Sequence, residues 1–300
     1  MFMELLRKIE DRGYPTEYLL SRVRGRRMRY RDSIARESPE GVWRCLLKEY
    51  QWVYLQMNRQ LQDIFGSFFF YAELRTIVLC LRYRIRGKEI VEELLSFSLL
   101  SDGLKDILKR GSSILTTIED IGEALLPLSF ELRGLKEIFI KDGLRGAEQV
   151  LTNTYLEHTA RSIPHPTIRD FFAYLIDSRN IIALYKHLRW GIPDYPIFIH
   201  GGSIKEGRLR RIAGKQDTSG LLSLIHKLTG IMNENLDVTN IENSLLKGLT
   251  SFLRRFIRDP LCAGVILDYL WRCYIETMNQ SIILYGNYMD KEMLLGELIQ

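Results

Sequence analysis

Apolar side chains recur along this chain at spacings of three and four, not two. Val42, Leu46, Tyr50, Val53, Met57 and Leu61 are separated by 4, 4, 3, 4 and 4 positions, which places them on one face of a helix. Ser38-Pro39-Glu40 ahead of them reads as a helix start: serine can cap, proline suits the first position, and glutamate favours the positive end of the dipole. A second helix is expected through Gly66 to Arg86, with Leu74, Ile77, Val78, Leu81 and Ile85 on its buried face and Gly87 ending it. Lys88 to Leu100 begins another helical segment. Further helices are expected through Leu104 to Leu108, Ile114 to Leu126 and Leu132 to Leu156. Ile163-Pro164-His165-Pro166 breaks the chain, and Thr167 is placed to cap the helix that follows. Ile192 to Ile199 holds two prolines and reads as a structured loop. Helix resumes from Leu209, with polar breaks at Asp217 to Gly220 and Asn233 to Asn240. Leu245 to Ile257 is amphipathic, and Asp259-Pro260 restarts a long final helix. The predicted class is all-α.

Superimposed on this pattern is a repeat. Tyr71 to Gly87 and Tyr174 to Gly191 share one frame: Glu73 and Asp177, Arg75 and Arg179, Gly87 and Gly191 are each 104 residues apart. A weaker copy carries Glu276 and Asn279, each 99 residues after Asp177 and Asn180. Lys291-Glu292-Met293 echoes Lys88-Glu89-Ile90. One unit recurring about every hundred residues means that one packing problem is solved three times. Three similar helical-bundle modules are expected, at 1–110, 111–212 and 213–300.

Composition narrows the picture. Apolar residues make up 46% of the 300 positions, enough for a sizeable core. The net charge of +5, from 42 basic and 37 acidic residues, is mild and largely local. Arg22, Arg24, Arg26, Arg27, Arg29 and Arg31 fall on adjoining helical faces, anchored by Tyr18, Leu19, Val23 and Tyr30. Such a run is usually a solvated face; its functional reading is contact with an acidic partner, anionic lipid headgroups or phosphates. The cysteines (Cys45, Cys80, Cys262 and Cys273) form no CxxC pair and read as buried reduced thiols. Charged residues from Glu4 onward interrupt any signal-peptide pattern. The most apolar run, Ile64 to Leu81, contains Glu73 and Arg75, so no membrane crossing is expected.

The usual catalytic frames are missing from the sequence. No two of the histidines at 158, 165, 187, 200 and 226 stand four apart, so no helical metal pair of the HExxH kind exists. Gly214-Lys215 lacks the rest of a phosphate-binding loop, and Gly201-Gly202 is not a dinucleotide fingerprint. A helical enzyme built on Asp177, Arg179 and His187 is disfavoured, because Asp177 and His187 stand about 15 Å apart on one helix. The acid–Arg–Asn trio reads first as structural: its acids and arginines tie helices together or sit in a polar interior. Asn180 and Asn279 then bond backbone where helices cross. In its weaker functional reading the trio lines a central cavity.

Four stretches together resemble a known family: Tyr18 to Arg27; Glu73 to Lys88; Asp177 to Gly191 with His200-Gly201-Gly202; and Tyr269 to Asp290. They are similar to the funnel-shaped central-stalk subunit of rotary ATPases, called C in archaeal and bacterial A/V-type enzymes and d in vacuolar ones. Thr76 stands in place of the expected asparagine in the first copy, and Met278 and Asp290 in place of arginine and glycine in the third. The resemblance implies an all-helical, pseudo-threefold funnel on the cytoplasmic rim of a membrane proteolipid ring. Such a subunit receives the foot of the rotor shaft and passes torque, with no active site, cofactor, metal or nucleic acid of its own. Glu73, Arg75, Asp177, Arg179, Asn180, Glu276 and Asn279 are then structural or cavity residues. The arginine run, Gly201 and Gly202 are candidates for contact with partners or headgroups. The alternative is a helical nucleic-acid binder or scaffold using the arginine helix, which predicts salt-dependent binding to bulk DNA or RNA.

Overall fold

The computed structural model describes residues 2–11, 14–87, 91–191, 196–232, 237–259, 261–286, 294 and 296–299. The expected features at Lys88 to Ile90, Ile192 to Tyr195, Asn233 to Leu236, Pro260 and Asn287 to Met293 lie outside them. The described chain is all-helical; its only β pairing is an isolated antiparallel bridge between Leu6 and Leu100. The helices fall into two compact units, 1–21 with 44–163, and 22–43 with 164–300.

The first unit is built on a long central helix. A short α1 (Phe2–Leu5) precedes α2 (Thr16–Ile34) and α3 (Pro39–Leu55), each of which contributes residues to both units. The expected start of α3 is confirmed by Gly41 N–H donating to the Ser38 hydroxyl at 3.2 Å. The central helix is α4 (Arg59–Ile85), earlier in its start than the pattern predicts. The reason is a cap: Asn58 accepts from Leu61 N–H at 3.0 Å and donates to the Tyr14 carbonyl. Phe65, Phe68, Phe69 and Phe70 of α4 are buried, and Phe68 and Phe69 meet Tyr50 and Tyr54 of α3 edge-on. α4 is long and apolar enough to cross a membrane by composition, but 72% of its most apolar window is buried inside the fold.

Gly87 ends that segment at φ 65, as expected. The next helix is only α5 (Val91–Ser96), because Leu99 and Leu100 run extended beside the N-terminal residues: Arg7 N–H donates to Leu99 O and Ser101 N–H to Leu5 O. α6 (Asp102–Lys109) and α7 (Ile114–Ala124) match expectation. A 3-10 turn at Phe130–Gly134 then leads into α8 (Leu135–Ser162), whose path breaks at Gly143 (φ 68, ψ -166). Tyr155 of α8 is fully buried against Phe70, and its hydroxyl donates to the Ser67 carbonyl.

The second unit is organised on α9 (Pro166–Trp190). Thr167 does not cap it; Pro166 takes the first turn and Thr167 is buried inside the helix. Proline's missing N–H and fixed φ suit that position. α10 (Glu206–Lys215), α11 (Thr218–Thr229) and α12 (Val238–Leu253) follow. The break between α10 and α11 is shorter than predicted, because Asp217 is itself the cap, accepting from Gly220 N–H at 2.8 Å. Ile181, Leu184, Leu209, Leu221, Ile225 and Ile241 form one apolar cluster across these four helices. A 3-10 turn at Phe256–Arg258 interrupts the expected run to Ile257, and α13 (Gly264–Tyr285) follows. From α2, the Tyr30 hydroxyl meets Thr277 Oγ1 on α13 at 2.6 Å.

Candidate functional site

The repeated frame makes one recurring device, a helix-borne acid holding a loop. Residues three apart share a helical face, whereas residues two apart point to opposite sides. The frame therefore splits. Glu73, Asp177 and Asn180 are 3%, 0% and 2% exposed, while Arg75 and Arg179 lie on the exposed side of the same helices. The trio is not a cluster, and its arginines are separate from its acids.

In the first copy Glu73 accepts from Leu99 N–H at 2.6 Å and from the Ser98 hydroxyl at 2.7 Å. In the second, Asp177 accepts from Ser203 N–H and Ile204 N–H, both at 3.0 Å, and from the Ser203 hydroxyl at 2.5 Å. The repeat extends to the donors: Leu99 and Ser203 each follow their acid by 26 residues. Burial pushes both carboxyl groups above their ordinary values, and the hydrogen-bond donors pull the other way.

Asn180 adds a second grip. Its Nδ2 donates to Ile199 O at 2.9 Å, and Ile199 N–H donates to its Oδ1 at 2.8 Å. Asn279 does the same to Ile299, at 2.7 and 2.9 Å. The asparagines thus bond the backbone of a non-helical segment, not a crossing helix. Thr76 cannot make this two-way amide pair; in that copy the backbone bonds of Arg7 and Ser101 hold the segment instead.

The double glycine belongs to the clasp. A Cβ at Gly202 would collide with Asp177 Oδ1, and Gly201 sits at φ 104. Only a side-chain-free residue lets this backbone lie on the carboxylate. The third acid differs. Glu276 faces Arg27 Nε at 3.6 Å, and its Oε2 is buried without a hydrogen-bond partner. Burial raises its carboxyl group, opposed by Arg27, Arg31 and Arg272.

The arginine helix α2 buries Leu19, Val23 and Tyr30 and leaves Arg22, Arg24, Arg27, Arg29 and Arg31 exposed, with Arg26 half-buried. Arg22, Arg24 and Arg26 already have partners within the fold, as Arg27 has in Glu276. His187 is buried on α9, beside Gln216, and Asp177 is committed to its loop. Among the described residues no group of three or more His, Cys, Asp or Glu side chains is placed to hold a metal ion.

Ser98, Ser203 and the Ile199 and Ile299 backbones were not foreseen. The repeat marks them only loosely: the Leu99 and Ser203 N–H groups keep the 104-residue spacing of the acids, but the Ser98 and Ser203 hydroxyls stand one residue out of register. Comparison with protein families aligns residues 36–294 with the ATP synthase (C/AC39) subunit. The chain belongs to that family. C/AC39 subunits are components of V/A-type ATPases, and the match spans all three copies of the frame. No curated protein matches the chain.

Proposed function

We propose that this C/AC39-family chain is the non-catalytic central-stalk subunit that couples the rotor shaft of a V/A-type ATPase to its membrane proteolipid ring. Its family membership over residues 36–294 carries the reading. The recurring clasp supports it, because an adaptor under torque needs helices and loops locked together in each repeated element. In this reading the three modules, 1–110, 111–212 and 213–300, stand around a pseudo-threefold axis and form a funnel. The chain associates peripherally with the cytoplasmic face of the membrane, through the ring. The exposed arginines of α2 offer a charged surface to a partner or to headgroups, and the pumped ion is a proton or sodium.

The test is a tagged pull-down from detergent-solubilised native membranes, with co-purifying chains identified by mass. Recovery of proteolipid and rotor-shaft subunits in fixed proportion is expected. A clean monomer in the soluble fraction, without membrane partners, sinks the proposal.

A further inference from the structure

Next to the Asp177 clasp, within the second unit, lies a cavity of about 330 Å³. Ser203 and Ile204, whose N–H groups donate to Asp177, form one wall, so the clasp fixes the shape of the opening. Its floor is apolar: Leu224 is 1% exposed, with Ile204 and Leu228 half-buried beside it. Around this floor stand Lys205, Arg208 and Lys227, all exposed, and no acidic side chain lines the cavity. The ion pairs among the described residues include none of these three cations. Glu206, the acid nearest in sequence, is taken by Arg210 and His200.

From this we infer that the cavity receives a carboxylate-bearing, otherwise apolar segment of a partner protein chain. Three like charges gathered at one opening repel one another, and an anion relieves that repulsion. The apolar floor adds a second demand. An inorganic anion would satisfy the rim and leave the floor wet, whereas an Asp or Glu flanked by Leu, Ile or Phe satisfies both. Nucleic acid presents a polar phosphate track and calls for a long basic stripe, not an apolar floor. A lipid brings the right headgroup charge, but its acyl chain needs a longer groove than this one, which is at the small end of ligand pockets at roughly 300–1,000 Å³. The inference rests on the stalk-subunit reading, which supplies the multi-chain setting.

The experiment uses the full chain in its native membranes. Lys227→p-benzoylphenylalanine places a photocrosslinker on the rim, and tagged complexes are purified after irradiation. In parallel, a Lys205→Glu/Arg208→Glu/Lys227→Glu variant is compared with the parent for recovery of partners. The changed side chains are solvent-exposed, so an unaltered thermal melt serves as the folding control. The expected result is crosslinking to one peptide carrying Asp or Glu beside apolar residues, in a chain co-purifying at fixed proportion. The charge-reversed variant should lose about tenfold or more of that partner's affinity, and Lys replacing the partner's acid should restore it. If the parent recovers rotor and ring subunits while Lys227 crosslinks only to lipid, or charge reversal leaves recovery unchanged, the cavity inference falls and the stalk reading stands. If the parent recovers no such subunits, both fall.

Discussion

Asp177 has no access to solvent, yet it accepts from three donors on a loop 26 and 27 residues away. Removing it leaves two backbone N–H groups and a hydroxyl on a partly buried loop without their acceptor, so Asp177→Ala should cost about 1–3 kcal/mol. Gly202→Ala should cost about 1–3 kcal/mol by forcing a methyl group into the same carboxylate. The two changes share one contact, so they should not add. In the Asp177→Ala background the Gly202→Ala penalty should shrink, as read from urea-unfolding free energies in a double-mutant cycle. The carboxyl group also ties stability to pH. Its folded value is raised above the ordinary 3.8, so between those two values the folded chain keeps a proton that the unfolded chain has released. This contribution is full below 3.8 and is lost as pH rises through the folded value. From about pH 4 upward, the stability of the parent should fall relative to that of Asp177→Asn until it levels off. A gap that does not change with pH would mean that Asp177 titrates at its ordinary value.

At the scale of elements, the working unit is a long helix with one loop strapped to it. Asn180 is 2% exposed, whereas Asn279 is half-buried, though both pair both ways with an isoleucine backbone. Loss of the amide should therefore cost more in the more buried copy. Asn180→Ala is expected to lose about 2–3 kcal/mol and Asn279→Ala about 1 kcal/mol. Amide hydrogen exchange should quicken at Ile199 and Ile299 respectively, with the helix interiors unaffected. The helices themselves were legible in the sequence, because apolar spacing, Ser38 and Gly87 are local signals. The helix ends that differ from the pattern depend on contacts from elsewhere. α4 starts early because Asn58 caps it and also bonds Tyr14, and α5 stops early because Leu99 and Leu100 join residues near the N-terminus. The acids and asparagines of the site were found from the repeat. Their partners were not, since a backbone N–H carries no mark in the sequence. Helical geometry would have removed Arg75 and Arg179 from the trio, because a residue two positions away faces the other side.

For the whole molecule, the boundary of the family match and the boundary of the folded unit disagree. The match begins at residue 36, but the second compact unit recruits residues 22–43. Within it, Tyr30, 3% exposed, shares a hydrogen with Thr277 across 247 positions of sequence, and Arg27 approaches Glu276. That pairing answers the odd state of the third acid: where Glu73 and Asp177 find loop N–H groups, Glu276 finds the arginine helix. Arg27 is 48% exposed, so the ion pair by itself adds little, about 1 kcal/mol at most. The weight lies in the burial of Val23, Tyr30 and Ile34, each 3% exposed or less, at about 1.5–3 kcal/mol per side chain. A Val23→Ala/Tyr30→Ala/Ile34→Ala chain should consequently be less stable than the parent by about 3 kcal/mol or more, and should bind a hydrophobic dye at newly exposed apolar surface. Truncation at residue 36 would not isolate α2, because it also removes Leu6 and Arg7, which pair with Leu100 and Leu99. Thermal melting and dye fluorescence of the two chains compare them directly. Equal melting would mean that the arginine helix is an appendage and that its charge serves only its surroundings. A lower melt with new dye binding would mean that α2 is part of the folded body, so charge changes meant to probe its outer face must spare Arg27 and Tyr30.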